Sequence, residues 1–510
     1  MTGRNFSYID GTIVILYILV TGIISYVIGR RQKDKEAYLM AGRKMHWFPV
    51  SLSSVAAGFS AISILGAPGF VMAEDMRYLP SLFTGIISIP IVYFIVIPFL
   101  YKLKMVSVYE YLEIRFSTGL RLFASVLFML TKVGYLAMIV FAPCLAISAA
   151  TGINLGLLII LFGLTTTAFT VIGGLEGIIW TELVQYFVLV AGILAVVFFF
   201  LFAPTAGHVA QYWDIASQAG KTKMFDFSFA LNNLSIWVLI LSTTLMGVAG
   251  VCSDQTSIQR FFAARSIKHA IQGYIFSLIF GTPVVLILYF IGAWLFGFFH
   301  SEQVLPAELV SQPDRIFPYF IAKYLPVGVT GMLLAVLVGS GISTVSAVLH
   351  SLNSLFMADF YERFTSNKEK GHHYVIVSRW VNFGWGIVGI IAAFYVMKLG
   401  NSIVEVSAIL GSLFAGPLGG IYFLGIFTKK ANNLGAIVGG IIGVIITIGT
   451  FLLNKFGIKE INFMWYGVFG IITTFLVGYL CSLFFGASPK ASGQEIPATI
   501  AVPNHSSDLA

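Results

Sequence analysis

Long apolar segments alternate with short polar ones along almost the whole chain. Apolar runs of roughly 18 or more residues are long enough to cross a bilayer as helices. The pattern predicts thirteen such spans, at residues 11–29, 48–72, 80–101, 122–148, 155–173, 182–203, 233–252, 271–299, 328–359, 376–398, 402–427, 433–454 and 463–485. Residues 488–510 lack the pattern, are rich in Ser, Pro and Ala, and are predicted to be disordered. The sequence therefore predicts an all-α polytopic membrane protein.

The second span mixes apolar residues with small polar ones, glycines and a proline. The residues that break its apolar character are Ser51, Ser53, Ser54, Gly58, Ser60, Ser63, Gly66, Pro68 and Gly69. Such residues let a membrane helix pack closely or unwind, and unwound backbone is tolerated only against protein or water. A similar stretch at 338–354 predicts a second interruption, in the ninth span. Interrupted membrane helices are typical of transporter binding sites, whereas either stretch alone also fits a closely packed helix.

Composition excludes a soluble globular protein. Hydrophobic residues make up 58% of the 510 residues and charged residues only 10%, against about 25% charged in soluble domains. The net charge of +8 is spread over short loops without a basic block, so nucleic acid is not an expected partner. The three cysteines, Cys144, Cys252 and Cys481, form no CxxC pair and indicate neither a disulfide framework nor a zinc site. The first apolar run is long enough to span and its basic flank follows it, unlike a cleavable signal.

The distribution of Lys and Arg predicts the orientation. Of the 30 such residues, 20 fall in alternate connections, beginning with 30–44, and 9 fall on the opposite side. Cytoplasmic loops carry the excess of positive charge. We therefore expect a multi-pass protein of the plasma (inner) membrane with its N-terminus outside and its C-terminus in the cytoplasm.

Five ordered blocks together resemble the sodium:solute symporter family. They are VSLSSVAAGFSAISILGAPG (50–69), SVYEYLEIRF (107–116), GGLEGIIWTELVQ (173–185), SDQTSIQRFFAARS (253–266) and STVSAVLHSLNSLFMADFY (343–361). The resemblance covers about residues 8–430 and is strongest to the monocarboxylate, multivitamin, iodide and bacterial sialic acid branches.

The resemblance implies a LeuT-type core of two inverted five-helix repeats, formed by spans two to eleven. It divides the chain into an extra helix with a basic loop (1–47), the transport core (48–430), two C-terminal helices (431–487) and the tail (488–510). It also implies import of a solute by alternating access, driven by the sodium gradient.

By the same resemblance, one sodium ion is bound by five residues. The backbone oxygens are those of Ala56, Phe59 and Ser340, and the hydroxyls are those of Ser343 and Thr344. The residues alone leave another interpretation open, because Ser and Thr in membrane helices often bond to a neighbouring helix or to their own backbone.

A second sodium site is not expected. In some members it uses an aspartate in a WTD-x-x-Q motif, together with hydroxyls that follow the main pair. Here Glu182 replaces the aspartate and Ala347 replaces a hydroxyl, although Ser346 is present. Glu182 is therefore interpreted either as a ligand of a second ion or as a structural carboxylate at a helix start, where the helix dipole favours a negative charge.

The substrate site is expected around Ser60 and Ser63. In the sialic acid branch such hydroxyls act with a glutamine and an arginine, but Leu82 and Tyr135 occupy those two positions here. Lys132 lies three residues before Tyr135, on the same helix face. An ionisable residue inside a membrane is a functional hypothesis by default. Lys132 is expected to bind a substrate carboxylate, to pair with Glu182, or to extend to the interface.

The leading interpretation is a sodium-coupled symporter, not an enzyme, for a small organic solute, with a monocarboxylate-like anion ahead of other cargoes. A neutral sugar or a sialic-acid-like solute is the alternative, and the third span offers a sugar neither charge nor amide. An alternative of another class is a membrane sensor on a transporter scaffold.

Asp254, Gln255, Gln259 and Arg260 are expected to fix the inner end of a moving helix. The sequence leaves the oligomeric state open.

Overall fold

The computed structural model describes residues 7–30, 35–102, 107–202, 209–301, 305–310, 313–365, 372–397 and 403–485. The described residues are mostly helical, with one isolated bridge between Met45 and Ala264 and no strand. The first helices are α1 (Tyr8–Gly29), α2 (Lys35–Met40), α3 (Trp47–Gly58), α4 (Ala61–Ala73), α5 (Ser81–Ile91), α6 (Ile97–Lys102), α7 (Glu110–Arg115), α8 (Thr118–Thr151), α9 (Leu155–Phe202) and α10 (Val209–Gln218). The predicted tail at 488–510 lies outside the described residues.

The second part of the chain continues the helical pattern. Its helices are α11 (Ile236–Ser253), α12 (Gln255–Ala263), α13 (Ile267–Ser301), α14 (Ala307–Val310), α15 (Ile316–Tyr324), α16 (Val329–Phe356), α17 (Glu362–Phe364), α18 (His372–Val396), α19 (Ile403–Phe427), α20 (Asn433–Lys455) and α21 (Met464–Phe484). Single π-helical turns at Val92–Val96 and Met357–Tyr361 join α5 to α6 and α16 to α17. Short 3₁₀ turns lie at Ala41–Arg43 and Pro313–Arg315.

Each predicted span contains a helix. Within the described ranges, ten helices are long and apolar enough to cross a membrane, and the bent pair α3–α4 makes an eleventh. Two shorter apolar helices, Leu155–Val171 and Gly411–Phe427, lie at the fifth and eleventh predicted spans. The polytopic all-α prediction is therefore confirmed, whereas the total of thirteen crossings stays a prediction.

The predicted interruption of the second span is present at Phe59 and Ser60. Helix α3 begins where the His46 side chain accepts a hydrogen bond from the Phe48 amide, and it ends at Gly58. Phe59 (φ −95°, ψ 82°) and Ser60 (φ −79°, ψ 166°) are not helical, and α3 and α4 meet at a bend of 56°. The last carbonyls of a helix lack intrahelical donors, so this bend offers backbone oxygens to the interior.

The predicted interruption of the ninth span is wrong. Helix α16 runs without a break through 338–354, and that whole stretch is buried. Its hydroxyls are satisfied one turn back along the same helix: Thr344 donates to the Ser340 carbonyl at 2.8 Å. Its glycines serve close packing, because a Cβ on Gly339 would lie 2.3 Å from the Tyr17 hydroxyl. The Ser and Gly residues therefore allow a central helix to pack closely and do not unwind it.

Two other breaks lie elsewhere. Gly174 (φ 56°, ψ −170°) interrupts α9, in a conformation that a residue with a Cβ rarely adopts. Asp254 ends α11 and also caps the N-terminus of α12.

The basic connections lie together at one end of the helical bundle. The Met45 amide donates to the Ala263 carbonyl, and the Arg265 amide to the Met45 carbonyl, both at 3.0 Å. Arg115 reaches the Thr428 carbonyl at 3.0 Å. We call this the basic end, defined by the connections that carry these residues.

Candidate functional site

A cavity of about 440 Å³ lies between the break in the second span and the basic end. Its wall is formed by the α3 half of the broken span, by α8, α11, α12, α13 and α16, and by the Gly411–Phe427 part of α19. The polar residues that line it are Ser54, Thr131, Lys132, Tyr135, Ser253, Asp254, Thr256, Ser257, Arg260, Tyr274, Ser277 and Thr344. The size and the few convergent polar groups are typical of a small-molecule site.

Lys132 contributes an ammonium group to this cavity. Its Nζ atom lies 2.8 Å from a carboxylate oxygen of Asp254 and over the rings of Phe128 and Tyr135, 5.4 and 5.3 Å from their centroids. The expected alternative pairing of Lys132 with Glu182 is therefore wrong. The side chain is 11% exposed, and cation–π contacts strengthen when the cation is removed from water.

Tyr135 and Ser60 extend the polar wall from Lys132 to the break. Ser60 is the buried N-cap residue of α4, and its hydroxyl lies near the Tyr135 phenol. Ser63 is half-buried one turn later and does not line the cavity. Of the four predicted substrate residues, Lys132 and Tyr135 therefore line the cavity, and Ser60 lies next to Tyr135 at the break.

Asp254 occupies the elbow between α11 and α12. One carboxylate oxygen accepts the Thr256 amide at 2.8 Å and thereby caps α12, while the other accepts Lys132. Helix α12 is in turn attached to α16, because Thr256 contacts the Ser351 hydroxyl at 3.0 Å and Gln259 donates to Ser354 at 2.6 Å. The residues from Asp254 to Arg260 therefore fix the start of α12, and Asp254 also reaches the cavity. That they hold the inner end of a moving helix stays a prediction.

Glu182 is held by Arg260 and not by Lys132. The guanidinium donates to the carboxylate at 2.6 Å, and Ser53 on α3 donates to its second oxygen. The side chains of Arg260 and Glu182 are 3% and 0% exposed. Glu182 lies two turns beyond the break at Gly174, so its predicted place at a helix start is also wrong. The pair connects three elements, α3, α9 and α12, close to the cavity.

The predicted sodium residues lie on two elements that face each other at the break. Ala56 and Phe59 belong to the end of α3, and both are buried. The Phe59 amide donates to the Val55 and Ala56 carbonyls at 3.0 and 3.2 Å. Thr344 lines the same cavity as the neighbouring residues Ala57 and Gly58. A carbonyl oxygen keeps a second lone pair after accepting one hydrogen bond, so these groups fit a hard cation.

Ser343 points to another side of α16. It donates to the Ser340 carbonyl at 3.2 Å. The Gln185 amide, oriented by its neighbours, contacts the Ser343 hydroxyl at 2.5 Å and donates to the Gly339 carbonyl at 2.9 Å. Ser343 and Ser346 line a separate small pocket with Gln185. The two hydroxyls assigned to one ion therefore do not share one orientation in this structure.

Sequence reasoning missed two pairings at the site. It assigned Asp254 and Arg260 to a structural block, although they are the partners of Lys132 and Glu182. A signal was available, because the four charges lie in or next to apolar spans and balance each other. The partners are 122 and 78 residues apart along the chain, so the sequence could not specify which charge meets which.

Comparison with known proteins agrees with the motifs. Residues 38–443 match the sequence model of the sodium:solute symporter family. The chain is 28% identical to the sodium/sialic acid symporter NanT of Aliivibrio fischeri, over 95% of each protein. Sodium-coupled monocarboxylate transporter 1 of Homo sapiens is also 28% identical, over 84% of this chain and 70% of that transporter. These matches confirm the resemblance indicated by the five blocks.

A solved structure supports the fold. A Na⁺-coupled sialic acid symporter in a substrate-bound, outward-open state matches with a TM-score of 0.87 at 28% identity, over 96% of this chain and 100% of that one. The all-helical LeuT-type prediction is therefore confirmed.

Proposed function

The chain belongs to the sodium:solute symporter family, and we propose that it carries a small carboxylate-bearing solute, with sodium, toward its basic end. Its relatives are Na⁺-coupled transporters. The chain is accordingly a multi-pass membrane transporter that couples a small organic solute to sodium, and it is not an enzyme. The proposal adds the charge of the solute, the residues that bind each species and the direction of transport.

The position of the Lys132 ammonium is the observation that supports an anionic cargo. It faces the cavity of about 440 Å³, and one of its three N–H groups is used by Asp254. Tyr135 and Ser60 continue the polar row up to the break. A carboxylate between Lys132 and these hydroxyls would receive both a charge-assisted bond and neutral hydrogen bonds. A neutral sugar would gain no comparable benefit from the lysine.

Charge balance supports coupling to sodium. Among the described residues, the charged side chains that line the cavity are Lys132, Asp254 and Arg260. Glu182 neutralises Arg260 and Asp254 neutralises Lys132, so the charges already cancel. An anion that entered alone would add an unpaired charge in a place where this is expensive. A sodium ion that enters with it restores neutrality.

We propose that sodium binds at the break in the second span. Its ligands are the carbonyls of Ala56, Phe59 and Ser340 with the hydroxyls of Thr344 and Ser343. Thr344 carries the hydroxyl that lines the cavity beside the end of α3, whereas Ser343 must turn away from Gln185 to reach the same ion. The Ala56 and Phe59 carbonyls fit because sodium favours hard oxygen ligands, and an interrupted helix supplies them without charge. The Ser340 carbonyl lies in the unbroken α16 and must exchange its hydrogen bonds from Ser343 and Thr344 for the ion.

The orientation follows from the basic end. The excess of Lys and Arg at that end supports an orientation with the basic end in the cytoplasm and the N-terminus outside, and we propose residues 48–430 as the transport core. In this orientation the cavity lies on the cytoplasmic side of the break, where import would release the solute.

A sialic-acid-like solute is the second candidate. The observation that favours it is the similarity to NanT over 95% of both chains. Sialic acid also bears a carboxylate, so both candidates use Lys132. Leu82 and Tyr135 replace the glutamine and the arginine of the sialic acid branch, so the carboxylate clamp of that branch is absent and the sialic-acid-like solute ranks second.

The test is uptake by the purified full-length protein in liposomes under an inward sodium gradient. Radiolabelled pyruvate, L-lactate, N-acetylneuraminate and D-glucose are compared, with a potassium gradient as control. We expect sodium-driven uptake of at least one carboxylate, and at least tenfold weaker affinity for it in Lys132→Gln. Sodium-driven uptake of glucose alone, or normal carboxylate affinity in a folded Lys132→Gln variant, would overturn the proposal.

A further inference from the structure

The side chain that neutralises Lys132 lies in the cavity itself. Asp254 is 29% exposed on its side chain, and its carboxylate contacts the ammonium at 2.8 Å. The described residues provide no second carboxylate on this lysine. A solute carboxylate and the Asp254 carboxylate would therefore bind the same ammonium group.

We propose that Asp254 sets the affinity of the cargo by competing with it for Lys132, and that this competition releases the cargo toward the basic end. The inference rests on the proposed function, because it needs a cargo carboxylate on Lys132. Asp254 acts through the lysine, so it is a positioning residue.

The geometry gives the competition a direction. Ser60, Tyr135, Lys132 and Asp254 form a row from the break in the second span to the elbow between α11 and α12. Lys132 lies between Tyr135, on the side of the break, and Asp254, on the side of the basic end. An ammonium group that pairs with Asp254 is drawn toward the basic end, and the cargo at Tyr135 and Ser60 loses its strongest partner.

The elbow connects this pairing to the arrangement of the helices. Asp254 caps α12, and α12 is attached to α16 through Thr256 and Gln259. The carboxylate reaches Lys132 only when α12 lies in this position, because the cap fixes the side chain to the first turn of α12. A displacement of α12 from α16 would separate Asp254 from Lys132 and leave the ammonium to the cargo.

Asp254→Asn isolates the charge, because asparagine is an equally good N-cap and keeps the hydrogen bond to the Thr256 amide. Serine at the same position also caps the helix and provides a second variant. Asp226→Asn is the matched control, since it breaks an ion pair with Arg77 (3.3 Å) that is remote from the cavity. Each variant is purified at full length and its melting temperature recorded.

The probe is whichever of pyruvate, L-lactate and N-acetylneuraminate the wild type transports, measured by equilibrium binding and by uptake in liposomes. We expect Asp254→Asn and Asp254→Ser to lower both Kd and KM about three- to tenfold and to lower kcat, because a tighter cargo leaves more slowly. Asp226→Asn should change none of the three. In the Lys132→Gln background, Asp254→Asn should bring no gain in affinity.

The outcomes separate this inference from the proposed function. A folded Asp254→Asn protein with unchanged or weaker affinity, while Lys132→Gln abolishes binding, overturns the inference alone. If both Asp254 variants fail to fold, the carboxylate is a structural requirement and the inference is also overturned. If the wild type binds none of the three carboxylates, the proposed function fails and the inference fails with it.

Discussion

Arg260 and Glu182 form a buried ion pair, with a guanidinium nitrogen 2.6 Å from a carboxylate oxygen. Ser53 completes the carboxylate's hydrogen bonds from α3, and the Arg260 Nε atom also donates to the Ser53 hydroxyl at 3.0 Å. The pair thus connects α3, the first half of the broken span, to α9 and α12. Its place next to the cavity makes it a structural support for the site.

Glu182→Gln should therefore destabilise the protein strongly. Removal of one partner from a buried ion pair typically costs about 3–5 kcal/mol, because the other charge is left uncompensated. The melting temperature in detergent measures this, and the double variant Glu182→Gln with Arg260→Gln should recover part of the loss. Glu36→Gln is the control, since its pair with Arg43 is 63% exposed on the glutamate side and contributes little. A double variant that melts no higher than the weaker single variant would contradict this role.

Sodium dependence should respond more to Thr344 than to Ser343. Thr344 lines the cavity at the break, whereas Ser343 is engaged by Gln185 in a separate pocket. We expect Thr344→Ala to raise the sodium concentration for half-maximal uptake about fivefold, equivalent to roughly 1 kcal/mol, and Ser343→Ala to raise it less. Thr447→Ala is the control, because Thr447 is buried on α20 and also donates one turn back. Unchanged sodium dependence in the double variant of Thr344 and Ser343 would show that the ion binds elsewhere.

We expect one sodium ion per solute. Glu182 is occupied by Arg260 and Ser53, and Ala347 has no hydroxyl, so a second ion would lack two of its expected ligands. The measurement is the reversal potential in liposomes, in which opposed sodium and solute gradients are adjusted until net flux stops. A balance point that requires two sodium ions per solute would refute this prediction.

Stability at low pH should depend on Glu113, which lies in the basic end on α7. Partial burial alone would raise the pKa of this carboxyl, but hydrogen bonds from Thr118, Arg363 and Arg121 outweigh it and lower the pKa to about 2. A carboxyl whose pKa is lowered by folding stabilises the protein above its unfolded value, and this contribution is lost as the pH falls through the folded pKa. Its contribution should therefore be complete above about pH 4.5 and should disappear between about pH 4.5 and 2.

The measurement is the difference in melting temperature between wild type and Glu113→Gln as a function of pH. Because both proteins share all other carboxylates, taking this difference removes the effect of those that titrate in the same pH range. We expect the wild type to be more stable near neutral pH and the two curves to converge as the pH falls from about 4.5 to about 2. Parallel curves over the whole range would show that Glu113 does not contribute in this way.

The sequence by itself determined the spans and one break. Each of the thirteen predicted apolar runs contains a helix, because the length of an apolar segment is set by the bilayer and not by its neighbours. The break at Phe59 and Ser60 was also predictable, since Ser, Gly and Pro weaken the helix there locally. The five motif blocks identified the family correctly.

Only the tertiary structure decided the state of the ninth span and the pairing of the buried charges. The stretch 338–354 of α16 is rich in Ser and Gly, like the broken stretch of the second span. Gly339 nevertheless packs against the Tyr17 side chain, and the helix is unbroken. Lys132 pairs with Asp254, and Glu182 with Arg260, across 122 and 78 residues. Sequence patterns report the local preference of a segment, whereas these choices depend on which helix faces it, and buried charges are satisfied by the partner that packing brings within reach.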